Sequence, residues 1–84
     1  MGKPMTAAEQ HIALSAAIHF LGIGLPELWL ECFAMGGSLE LFDLEAYIYD
    51  IATLPPMDRA VLEQVLWELD PVIFDLAFNA PEPS

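Results

Sequence analysis

Positive charge is scarce in this sequence. Only Lys3 and Arg59 are cationic, against thirteen carboxylates, which gives a net charge of −11. Nucleic acid and anionic membrane surfaces are held by clusters of Lys and Arg, so neither is expected as a direct partner. Cysteine is nearly absent too. Cys32 stands alone, which rules out a disulfide within the chain. It fits a reducing compartment, and the expected location is cytoplasmic.

Long apolar runs are missing. The most apolar stretch, Ile12–Leu25, is broken by Ser15, His19, Gly22 and Gly24, and falls short of the ~20 residues that a membrane-spanning helix needs. No charged leader with an apolar core and cleavage site stands at the N-terminus, so a signal peptide is not expected. Met1-Gly2-Lys3-Pro4-Met5-Thr6 fits the loose myristoylation pattern, but lysine and proline directly after the glycine argue against it. Met5 is an alternative start.

The constellations that carry chemistry are also wanting. His11 and His19 lie two helical turns apart, about 12 Å along a helix axis. No H-x-x-x-H, C-x-x-C or H-E-x-x-H spacing occurs, so no metal site is expected. Glu40, Asp43 and Glu45 lack the order of a calcium loop. Cys32 lies beside Glu31 in a strongly negative chain, which disfavours a thiolate; it reads as a small buried hydrophobe rather than a nucleophile. Ser15 and Ser38 have no nucleophile-elbow context. Gly22-Ile23-Gly24 has no third glycine and no preceding strand, so it reads as a helix terminator and not as a dinucleotide loop. The expectation is a protein that is not an enzyme and carries no cofactor.

Apolar side chains are plentiful. Hydrophobic residues make up 56% of the chain, above the usual ~45–50%, so an ordered core is expected between frayed ends. Residues 1–5 are expected to be a disordered N-terminal segment or an appended leftover. Residues 6–79 are expected to form one helical domain, and 80–84 a disordered tail.

Punctuation and periodicity predict an all-α fold, a compact bundle of four to five short helices. Thr6-Ala7-Ala8-Glu9 is a capping box. It opens a first helix from about Ala7 to Leu21, whose Leu14, Ala17, Ile18 and Leu21 share a face. This helix is apolar almost all round apart from a His11–Ser15–His19 line, so it is expected at the centre. Pro26 suits the first turn of a second helix whose Leu28, Trp29, Cys32 and Phe33 share a face, and Gly36 or Gly37 ends it. A third helix starts at Ser38 or Asp43, carries Leu41, Leu44, Ile48 and Ile51, and stops at Pro55. A fourth runs from about Pro56 to Leu69 on the stripe Leu62, Val65, Leu66 and Leu69, with Arg59 and Glu63 as a weak exposed pair. Asp70-Pro71 stops it and caps a short apolar final segment, Val72 to Phe78.

Trp67 breaks the pattern. At 100° per residue it lies roughly 150° from the centre of the fourth helix's stripe. It is either covered by a folded-back Val72–Phe78 or serves as an interface anchor, a role in which Trp is enriched. The segment 72–78 is apolar on every side, more than one flat core can bury. These features predict a small acidic regulatory or adaptor protein that acts by contact with another chain, itself or an unidentified partner, with a homodimer expected. The expected interface is Trp67, Ile73, Phe74, Leu76 and Phe78. A second reading is an acidic inhibitor that mimics nucleic acid and fills a basic groove with Glu27, Glu31, Glu40, Asp43, Glu45 and Asp50. A third is a small-ligand sensor with an apolar inter-helix pocket built from Phe20, Trp29, Phe33, Tyr47 and Tyr49.

Overall fold

The first helix begins where the capping box places it. Thr6 Oγ1 accepts from the Glu9 amide at 3.1 Å, and Glu9 Oε1 accepts from the Thr6 amide at 3.0 Å, so two otherwise orphaned donors are satisfied. The computed structural model describes residues 6–79; the ends assigned from sequence to residues 1–5 and 80–84 lie outside them. Helix α1 spans Ala7–Leu21, α2 Leu25–Ala34, α3 Leu41–Ile48, α4 Pro56–Leu69 and α5 Pro71–Asn79. Among the described residues the fold is all-α, a bundle of five short helices.

Gly22 closes α1 at φ +68°, and its amide reaches the carbonyls of Ile18 and His19. The chain then turns sharply, with α1 and α2 meeting at 111°. Among the described residues no single helix is long and apolar enough to cross a membrane. α1 packs against α3, α4 and α5, and α2 against α3 and α4. Leu14, Ala17 and Ile18 of α1 meet Leu28, Cys32, Leu44, Tyr47, Leu62, Val65 and Leu66 in one core, which Leu39 and Leu54 join from the loops.

Two helix ends share one device. At the end of α2 the Gly37 amide donates back to the Cys32 carbonyl at 3.0 Å and the Gly36 amide to Phe33, with Gly36 at φ +88°. At the end of α3 the Ile51 amide donates to Ala46 at 2.8 Å and the Asp50 amide to Tyr47 at 3.0 Å, with Asp50 at φ +60°. Both follow the Schellman pattern, which calls for a left-handed residue just past the helix. In the second, aspartate occupies the position that glycine usually takes; its short polar side chain tolerates this region better than most.

That second terminator corrects one expectation. α3 starts between the two predicted positions and ends at Ile48, not at Pro55. Ile51 therefore falls outside the helix and is exposed. Leu69 also leaves its predicted core stripe for the surface, because α4 ends there. Phe33 does not join Leu28 and Cys32 in the core; it is 62% exposed and leans on Trp29 with ring centroids 5.7 Å apart.

Candidate functional site

Two regions of the surface carry features beyond solvation. The first lies where α5 folds back. Asp70 Oδ1 accepts from the Val72 and Ile73 amides, each at 3.1 Å, and so caps α5 immediately after α4 ends. α5 then packs on α1 and α4. Ile73, Phe74, Ala77 and Phe78 turn inward against the core, while Val72 and Leu76 face out.

This return covers Trp67 only in part. The indole remains 50% exposed. It lines two adjoining grooves. One, of about 640 Å³, runs along α4 past Ala60, Glu63 and Gln64 to Phe74. The other, of about 490 Å³, runs along α5 past Pro71, Val72, Asp75 and Leu76. Trp67 and Phe74 belong to both, so the two grooves adjoin at these rings. Of the five residues expected at an interface, Trp67, Phe74 and Leu76 line this surface. Ile73 and Phe78 are half-buried against the core, and Phe78 stacks on Phe74.

The six acidic residues singled out from sequence are all exposed. They are spread over α2, α3 and the loops that flank α3. Asp43 serves the local fold, accepting from the Glu40 amide at 3.1 Å at the start of α3. The five aromatics proposed for an apolar pocket are dispersed by burial. Phe20, Phe33 and Tyr49 are mostly exposed and Tyr47 is buried, while Trp29 is half-buried with its Nε1 donating to the Leu39 carbonyl at 2.8 Å.

The second region is a cleft of about 340 Å³ between the first turns of α1, the end of α3 and the start of α4. His11, Tyr47, Asp50, Thr53 and Arg59 supply its polar groups, and Ala8, Ile12 and Ala52 part of its apolar wall. His11 Nε2 lies 2.7 Å from the Tyr47 carbonyl oxygen. A carbonyl only accepts, so this nitrogen carries the proton and donates, which leaves Nδ1 as the second ring nitrogen. The same two residues touch edge to face, with centroids 5.0 Å apart.

Tyr47 is only 3% exposed, and its hydroxyl has no hydrogen-bond partner; Arg59 Nε is likewise buried without one. Each such group costs roughly 1–3 kcal/mol if nothing satisfies it. Burial raises the Tyr47 pKa above its ordinary value; the Arg59 charge nearby opposes that rise and the Glu63 charge adds to it. The predicted Arg59–Glu63 surface pair takes a different form. Both residues are half-buried, and Glu63 Oε1 accepts from Gln10 Nε2 at 2.8 Å, tying α4 to α1.

This cleft has no contiguous signature in the sequence. Its residues come from three separate stretches of chain, and no short motif joins them. The one available signal was Arg59 itself, a cation kept amid thirteen carboxylates.

Burial, with the Glu31 and Asp58 charges adding to it, pushes the Cys32 thiol up to about 11, so it is protonated near neutral pH and poorly nucleophilic. Among the described residues no three His, Cys, Asp or Glu side chains are grouped to hold a metal ion. No known protein family, no curated protein and no solved structure matches this chain.

Proposed function

We propose that this chain is a small acidic regulatory or adaptor protein that works by binding another protein through the groove at the α4–α5 junction. The observation that carries this reading is Trp67, a half-exposed aromatic where two grooves adjoin. A large aromatic is costly to leave in water and rewarding to bury in a partner. Leu76 and Val72 extend the apolar surface along α5.

Charge narrows the partner. The charged residues lining the grooves are Glu63 and Asp75, on a chain of net charge −11. The favoured occupant is an amphipathic segment of another protein, with an apolar face for the groove and Lys or Arg at its margins. A second copy of this chain is the competing occupant; it would set −11 against −11, and its association would strengthen as salt screens the repulsion.

The test uses Trp67 fluorescence in a Trp29→Phe background. The chain is titrated with a Leu/Lys amphipathic helical peptide and with a scrambled peptide of equal composition. The expected result is a saturable blue shift with the amphipathic peptide alone, weakened by salt and lost in Leu76→Ser. Equal responses to both peptides would overturn the reading. Light scattering over a dilution series covers the second occupant: a dimer lost in Trp67→Ser/Leu76→Ser would make the partner another copy.

A further inference from the structure

We propose that the cleft between α1, the end of α3 and Arg59 binds a free α-amino acid by its zwitterionic head. This inference is independent of the α4–α5 groove and uses other residues.

Hydrogen bonding in the cleft is out of balance. The Tyr47 hydroxyl and Arg59 Nε–H are both donors, both buried and both without a partner. What is missing beside them is an acceptor. Arg59 is also the sole cation among the described residues, since Lys3 lies outside them. A guanidinium that has kept a free donor in a chain crowded with carboxylates fits an anionic acceptor with two oxygens, and a carboxylate meets the planar fork geometrically. Both atoms are shut off from solvent in this structure, so a carboxylate in the cleft meets them only when the side chains around them shift.

The same cleft also carries the opposite sign. Asp50 lines it from the left-handed turn that ends α3. That conformation is uncommon for a residue other than glycine, and here it brings an acidic residue to the lining of the same cleft as Arg59. An ammonium group is its complement. Thr53 and the second nitrogen of His11 add hydrogen-bonding capacity. Ile12, with alanines from α1 and the α3–α4 loop, gives the remaining wall an aliphatic character. A ligand with a carboxylate, an ammonium and a short apolar side chain matches all three features. The volume of about 340 Å³ falls within the ~300–1,000 Å³ range of small-ligand sites.

The experiment is calorimetric titration of the full chain with standard L-amino acids, with each ligand's 2-oxo acid and decarboxylated amine as paired controls. Saturable binding is expected for an aliphatic amino acid such as leucine. The oxo acid and the amine should each bind about tenfold more weakly or worse, and Arg59→Gln and Asp50→Asn should show the same loss. Asparagine tolerates the left-handed turn, so the second variant keeps the fold. Amide resonances of Ala8, Ile12 and Thr53 should move on titration, and those around Trp67 should stay still.

Tyr47→Phe separates this from a purely structural role. The hydroxyl has no protein partner, so its loss should leave the melting temperature unchanged or raise it, while amino-acid affinity falls several-fold. A lowered melting temperature with no amino-acid binding would mean that an internal water alone satisfies the two donors, and the proposal would be overturned. Equal affinity for leucine and its oxo acid would overturn it as well.

Discussion

Phe74 and Phe78 stack one turn apart on α5, with ring centroids 4.2 Å apart and planes 16° from parallel. Both rings pack against the core, and Phe74 also lines the two grooves at Trp67. The pair is a structural hinge between stability and surface. Phe78→Ala should therefore destabilise the fold by about 2–3 kcal/mol, somewhat less than for a fully buried phenylalanine. Val72→Ser and Leu76→Ser, on the outward side of the same helix, should each cost under about 0.5 kcal/mol. Urea denaturation followed by circular dichroism measures both. Equal losses on the two sides would mean that α5 docks in another rotation.

Much of this fold was legible because the chain marks its helix ends chemically. Thr6 with Glu9, Gly22, Pro26, Pro56 and Asp70-Pro71 each sit at an observed boundary. α3 was misread at its end because the signal was an aspartate in a glycine's role, which sequence alone does not reveal. Trp67 was legible as an anomaly, since one helical wheel shows it off the stripe. Its partial cover was not, because that depends on how α5 lands on two other helices. The cleft around Tyr47 and Arg59 left only the cation Arg59 as a signal in the sequence, for a similar reason. Orphaned donors are a property of three-dimensional burial, and neither residue type signals it.

The α2 terminator offers a sharp steric test. A Cβ added at Gly37 would stand 2.8 Å from the Cys32 carbonyl oxygen, the same oxygen that accepts the Gly37 amide at 3.0 Å. The obstacle is backbone, so no side-chain rotation relieves it. Gly37→Ala should shift the loop between α2 and α3 and cost about 1–3 kcal/mol. Gly36→Ala meets no atom within 4 Å but is strained by its φ of +88°, and should cost about 1–2 kcal/mol. Thermal melts of the two variants against Ser38→Ala as a control would decide. A neutral Gly37→Ala would show that this loop is not fixed by the Schellman bond.

Trp29 ties α2 to the loop before α3. Its Nε1 donates to the Leu39 carbonyl at 2.8 Å, and Leu39 itself is buried in the core. Trp29→Phe keeps most of the ring contact and deletes the donor. The expected cost is about 1–2 kcal/mol, a lost hydrogen bond plus a carbonyl left short of a partner. Amide exchange should accelerate first between Gly37 and Leu41, ahead of α1 and α4. Uniform acceleration throughout the protein would instead assign the bond no local role.

Cys32 sets an upper pH limit on the fold. Burial, with the Glu31 and Asp58 charges adding to it, raises its pKa from 9.0 to about 11. A group whose pKa is raised on folding binds its proton more tightly in the native state than in the unfolded one. Its contribution to stability is therefore complete below about pH 9 and is lost as the pH climbs towards 11. Urea midpoints should fall across that interval in the wild type and less so in Cys32→Ala, measured relative to each protein's own midpoint at pH 8. The same protonation governs reactivity. At pH 8 the thiol should react with Ellman's reagent only as fast as the protein opens, and urea should accelerate the reaction in step with unfolding. Rapid labelling of the fully folded protein would show that the thiol is reached without unfolding, and the assigned burial of Cys32 at the α2 core face would be wrong.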